Sequence, residues 1–174
     1  HFVACSSASI DVGGTGSPRT SEMLVDRSEL QQITSTNLTF TAISGGIVVY
    51  DTIEADMGNV DGHVALDGST SIQFKGNSTF KSVDATSDTV TISGNITATV
   101  DDLIMTGNTF TVGPNSYISA PRLYVRETGA SPSMTVTTPM KWSTTDDMLF
   151  EVSMSVYGTS TLEFEADNNA DGVG

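Results

Sequence analysis

The most chemically suggestive run in these 174 residues is Asp167-Asn168-Asn169-Ala170-Asp171-Gly172. Asp167, Asn169 and Asp171 alternate, so three hard oxygen donors can come from one side of a loop, and Gly172 permits the tight turn such a loop needs. This is the first half of a Ca2+-binding loop. The complete helix-loop-helix form has a helix in front and a carboxylate about six residues after the glycine. Here the preceding Leu162 to Glu165 alternates like a strand. The expectation is an acidic tail over 167–174, with Ca2+ binding through Asp167, Asn169 and Asp171, or the start of a further segment, as the alternatives.

Three tripeptides fit the N-glycosylation acceptor: Asn37-Leu38-Thr39, Asn77-Ser78-Thr79 and Asn95-Ile96-Thr97. In a chain with 22 Ser and 25 Thr some matches arise by chance, and a sugar must lie outside any packed interior. Cys5 is the one cysteine, so no disulfide forms within the chain; the choice is an inert thiol or a link between chains. The first residue is His1, which reads as the product of a removed targeting segment and places the protein outside the cell. Asp101-Asp102 and Asp146-Asp147 read as solvated turn residues, with Ca2+ across stacked copies as the alternative.

Other chemistry is thinly supported. His63 is the only internal base for a Ser/His/acid site, and no nucleophile motif accompanies it. Phosphate loops and dinucleotide fingerprints do not occur, and zinc needs more His or Cys than the chain has. An amino-terminal His on a secreted β protein resembles the copper-dependent polysaccharide monooxygenases. That resemblance implies a β-sandwich with copper held by His1 and His63. It covers one residue, and a single cysteine allows none of the internal disulfides common in that family. Trp142 lies in a turn-rich stretch and reads as core packing rather than a sugar platform.

The elements that would position such groups follow from composition and period. Twenty-one acidic residues against seven Lys plus Arg give a net charge of −14, which argues against nucleic acid and anionic lipid as partners. No apolar run approaches the roughly 18 residues of a membrane span, so membrane insertion is not expected. No segment carries a sustained helical stripe; Ser28 to Ile33 is the only short candidate.

Gly58-Asn59, Gly76-Asn77 and Gly94-Asn95 recur, and short β-rich runs precede these breaks: Ile72 to Lys75 before Gly76, and Val90 to Ser93 before Gly94. Phe110 to Val112 before Gly113 continues the pattern. The chain is thus expected to be all-β, a short-coil β-solenoid of about 18 residues per coil. One inward column would hold Ile72, Val90 and Phe110, and the next Phe74, Ile92 and Val112. Corner glycines would supply positive φ. A β-sandwich or jelly roll is the alternative, since those folds also place short strands between Gly and Asn turns.

The flanks look different. Residues 1–36 read as a polar arm or loop. Residues 37–166 form the β-rich domain, with solenoid-like repeats around 41–130. Met148 to Val156 alternates as one long strand and pairs as a C-terminal hairpin with Leu162 to Phe164. Such an uncapped stack exposes backbone donors and acceptors, which end-to-end stacking would satisfy. The expected function is therefore a non-enzymatic extracellular structural subunit that self-assembles into a filament, sheath or surface layer. The alternative is an adhesion or carbohydrate-binding module, with glycans as partners, cut from a larger secreted surface protein.

Overall fold

A computed structural model describes residues 1–5, 8–14, 23–129 and 131–166. In chain order the strands are β1 (Phe2–Ala4), β2 (Ile10–Val12), β3 (Met23–Val25), β4 (Leu38–Ala42), β5 (Ile47–Val49), β6 (Val64–Phe74), β7 (Ser78–Phe80), β8 (Val83–Ile92), β9 (Ile96–Ala98), β10 (Leu103–Gly107), β11 (Thr109–Val112), β12 (Ser116–Ala120), β13 (Leu123–Glu127), β14 (Ser133–Thr137), β15 (Met140–Thr144), β16 (Met148–Phe150), β17 (Ser153–Tyr157) and β18 (Leu162–Glu165). One short helix, α1 (Arg27–Leu30), and a 3-10 turn at Glu54–Asp56 complete the set. With 57% strand and 5% helix the chain is all-β.

Among the described residues every strand pair is parallel and no barrel closes. The strands form three stacks. The first runs β1, β4, the start of β6, the start of β8, β10, β13 and β16; the second runs β3, β2, β5, the ends of β6 and β8, β11, β14 and β17. These two belong to one 13-stranded sheet, because β6 and β8 run continuously through the bend where the register shifts between Gly68 and Ser71. The third stack is a separate sheet of β7, β9, β12, β15 and β18. From β6 onward the chain visits the three stacks in the same order on each pass.

Side chains alternate across each strand, so inward residues face one shared interior. Ile72 pairs with Val90 and Val90 with Phe110; Phe74 pairs with Ile92 and Ile92 with Val112, as the sequence period indicates. The first column continues through Ile10, Ile47 and Met134, the second through Val12, Val49 and Val136. These residues are all at most 1% exposed. No single pass encloses an apolar interior; each is covered by its neighbours.

Four expectations need correction. A β-sandwich or jelly roll requires antiparallel neighbours, and the described pairs are parallel. The C-terminal hairpin does not form: β16, β17 and β18 pair in parallel with β13, β14 and β15, because the chain bends at Glu151-Val152 and turns into a new stack. Residues 1–36 contribute β1, β2, β3 and α1 instead of a loose arm, with Ile10, Val12 and Leu30 buried. The glycines of the Gly-Asn corners do not supply positive φ, which among the described glycines occurs at Gly13, Gly14 and Gly158.

Close approach explains Gly76 and Gly94. A Cβ on Gly94 would stand 2.7 Å from the carbonyl carbon of Gly76, and one on Gly76 would stand 2.8 Å from the backbone nitrogen of Asp51. The asparagines that follow link the same corners. The Asp51 carboxylate accepts the Asn77 N–H (2.8 Å), the Asn77 side chain accepts the Asn95 N–H (3.3 Å), and the Asn95 side chain accepts the Tyr117 N–H (2.8 Å). Gly58-Asn59 stands outside this ladder, in the segment of the 3-10 turn.

Replacing Asn95 by Ala removes an acceptor from the corner and is expected to cost about 1–2 kcal/mol in urea unfolding. Asn95→Asp keeps an acceptor while deleting the glycosylation tripeptide and should cost less. Equal losses from both substitutions would mean that the amide oxygen does not carry the corner.

Candidate functional site

The densest group of chemically capable side chains sits at the corner that leads into the first stack. Each pass places one polar residue just before its first inward residue: Asn37, His63, Ser82, Asp102, Arg122 and Asp147 precede Leu38, Val64, Val83, Leu103, Leu123 and Met148. Stacking the passes lines these residues into a column. The Asn37 side chain accepts the His63 N–H at 3.1 Å, and His63 Nδ1 lies 3.2 Å from Ser82 Oγ. Ser82 Oγ donates to the Asp102 carbonyl at 3.1 Å. A cavity of about 230 Å3 opens beside them, lined in part by His63, Lys81, Ser82 and Asp101.

With Asp84 Oδ2 4.0 Å from His63 Nε2, the column brings a serine, a histidine and a carboxylate together. The proton runs the wrong way for nucleophilic attack. A carbonyl only accepts, so the Ser82 hydroxyl proton is committed to Asp102, and Ser82 meets the imidazole through a lone pair. A serine nucleophile instead gives its proton to the imidazole. Ser82 is also buried. The trio reads as a bridge between passes.

The charged part of the column is Arg122, whose Nε meets Asp102 at 2.5 Å and Nη2 meets Asp101 at 2.7 Å. The hydrogen bond from Arg122 holds the Asp101 carboxyl below its usual value of 3.8, while burial pushes Asp102 above it. These two carboxylates in turn raise the Arg122 guanidinium. On the third stack Tyr117, Lys141 and Glu163 stand in register on β12, β15 and β18 beside a cavity of about 330 Å3. Lys141 Nζ reaches Glu165 at 2.7 Å and Glu163 at 3.5 Å; its hydrogen bond lowers the Glu165 carboxyl, which in turn raises the Lys141 ammonium.

The residues expected from sequence are placed as follows. The amide oxygens of Asn37, Asn77 and Asn95 each accept a backbone N–H from the following pass. A sugar would take the nitrogen of the same amide, so the two roles are compatible. Asp167, Asn169 and Asp171 lie outside the described residues. Among the described residues no group of three or more His, Cys, Asp or Glu is placed to hold a metal ion. His1 Nε2 meets Thr41 Oγ1 at 3.0 Å, whereas His63 faces Ser82 and Asp84, so the two histidines have separate partners. The parallel sheets also depart from the sandwich that the copper-enzyme resemblance implied. Trp142 is fully buried and stacks on Phe150 with ring centroids 4.9 Å apart.

Sequence reasoning missed the column at the first corner. Its signal was present: the polar residue before each stack-one strand recurs once per pass. Comparison with known proteins finds no matching family model, no matching curated protein and no matching solved structure.

Removing the cation tests the electrostatic part of the column. Arg122→Gln should lower the urea midpoint at neutral pH, because it removes the cation that both carboxylates bond. Asp101 has a depressed folded value, so its contribution exists above the unfolded value and is lost as pH falls through the folded one. Asp102 has a raised value and opposes folding once ionised, which the variant aggravates. The difference between variant and parent should therefore shrink as pH falls below 3.8; a gap that persists in acid would contradict it.

Proposed function

We propose that this chain is a non-enzymatic structural subunit, working outside the cell, that associates with copies of itself, and that its architecture is a three-sided β-solenoid. The observation that carries this reading is the unbroken register of the inward columns, from Ile10 through Ile47, Ile72, Val90 and Phe110 to Met134 and Met154. Coils whose inward residues align once per pass make a rigid rod, and a rod of stacked coils has a scaffolding use that needs no reaction centre. The bridging geometry of Ser82 and His63 agrees with that use, since it ties coil to coil.

The sides of the rod support the same reading. Outward positions are rich in Thr, Ser and Asp, which keeps the walls hydrated and prevents lateral aggregation at a net charge of −14. Association is thereby directed to the ends. A filament, sheath or surface layer is the class of assembly proposed, with glycans on Asn37, Asn77 and Asn95 and Ca2+ at Asp167, Asn169 and Asp171 as decoration and support. The extracellular placement rests on those three acceptor tripeptides.

A second reading, an adhesion or carbohydrate-binding module, draws on the cavity beside Tyr117. A 38% exposed phenol there flanks Asn115, Lys141 and Glu163, a mix of ring face and polar groups that suits a sugar. Sedimentation velocity over a hundredfold concentration range, with electron microscopy of the same samples, separates the two. The structural reading expects assemblies that grow with concentration. A monomer throughout that binds an oligosaccharide saturably, and loses this with Tyr117→Ala, would replace it.

A further inference from the structure

The three walls of the stack differ in what they present to water. On the first wall the outward columns carry Asp84, Ile104, Tyr124 and Arg126, and on the third Tyr117, Lys141 and Glu163. On the second wall the end of β8, then β11 and β14, present a hydroxyl at both outward positions. Thr89, Thr109 and Ser133 form one column in register, and Thr91, Thr111 and Thr135 form the other. Ser71 on β6 extends the first column by one further pass. The intervening Val90, Phe110 and Met134 point inward and are at most 1% exposed, so the six hydroxyl residues share the outer side. All six are half-buried or exposed.

Geometry makes this set a lattice. Neighbouring strands lie about 4.8 Å apart, and residues two apart on a parallel strand about 6.6 Å apart, so the hydroxyls repeat on a two-dimensional grid. Ladders of like side chains keep such a sheet flat. Threonine has few rotamers, because two heavy atoms branch at Cβ. Among the described residues none of the six hydroxyls bonds another protein group, whereas Ser82, Thr99 and Ser116 at the corners each give theirs to a backbone carbonyl. A hydroxyl donates one hydrogen bond and accepts two, so the bonding capacity of the whole grid is left to water.

We propose that this wall binds ice. Its chemistry selects the ligand. The two columns carry no charge from Thr89 to Thr135, so they offer nothing to a polyion or an ionic mineral. They carry no aromatic ring on which a sugar could stack. They do offer a rigid, neutral array of donors and acceptors, and the oxygen rows on a prism face of ordinary ice repeat at nearly the same two distances. Water held on the grid already has the arrangement of the solid, so the face joins a crystal without reordering it. Each contact is weak, and binding comes from many acting at once on a surface that has little freedom to lose.

Protein bound in this way blocks the crystal where it sits, so the activity is restraint of ice growth and involves no chemical step. It belongs to the side of the rod. End-to-end association leaves this wall uncovered, so the inference goes beyond the structural reading and does not depend on it.

The test uses the full chain. Ice is grown slowly in a dilute solution, and the protein content of the melted ice is compared with that of the remaining liquid. The parent chain should be enriched in ice relative to serum albumin, and crystals growing in its solution should be faceted. Thr111→Tyr, on the middle strand of the grid, should reduce the enrichment roughly tenfold or more, since a ring standing above the wall breaks several contacts at once. Thr91→Tyr is the second variant and should do the same. Thr106→Tyr on β10, in the first wall, should stay within about twofold of the parent. Tyrosine suits an exposed strand position, and circular dichroism should be unchanged in all three. Exclusion of the parent from ice would overturn the proposal. So would full enrichment of Thr111→Tyr and Thr91→Tyr, or an equal loss in Thr106→Tyr. Sedimentation of the same samples reads self-association separately, so neither reading falls with the other.

Discussion

Everything in this fold depends on one constraint: an apolar side chain must find its cover one pass above or below it. A pass encloses too little volume to bury Phe74 or Phe110 alone. Stacked in register, Ile72, Val90 and Phe110 remove one another from water, and the parallel hydrogen bonds follow from that alignment. Stability in such an array is close to a sum over neighbouring passes. The ends are therefore special. In the last described pass Val156 and Phe164 stay in contact with water, unlike their counterparts Val136 and Trp142 one pass earlier.

The corners obey a second requirement, that successive backbones approach within hydrogen-bonding distance while the chain changes direction. Gly76 and Gly94 serve it by having no Cβ to collide with the preceding pass. Asp51, Asn77 and Asn95 serve it by lending side-chain oxygens to the N–H of the next pass. At the corner before the first stack the same task falls to Asn37, His63 and Ser82, and then to the ion cluster of Arg122 with Asp101 and Asp102. Groups that elsewhere would suggest catalysis are here held in bonds that run along the stack.

The inward columns were legible because β-rich runs and Gly-Asn breaks repeat at a nearly constant spacing between Ile72 and Val112. The parallel order of β16, β17 and β18 was not. Met148 to Val156 alternates like one long strand, and only the bend at Glu151-Val152 separates it into two faces. Residues 1–36 were misread because Gly and Ser dominate the stretch that separates β2 from β3, while each of these strands has only three residues. The glycine corners were located correctly and explained wrongly: sequence marks where a side chain is not tolerated, but it does not say whether torsion or collision forbids it. His63 and Ser82 were unreadable as a pair, since their meeting depends on register and on no local motif.

The most direct test of stacking as the source of stability is amide hydrogen exchange on the dilute, monomeric chain, resolved strand by strand. Protection should be greatest at β8 and β10, which are covered on both sides, and should fall stepwise through β13 and β14 to β16, β17 and β18. Protection of the last pass equal to that of β8 would contradict the account, because β16 to β18 would then hold their structure without a covering neighbour.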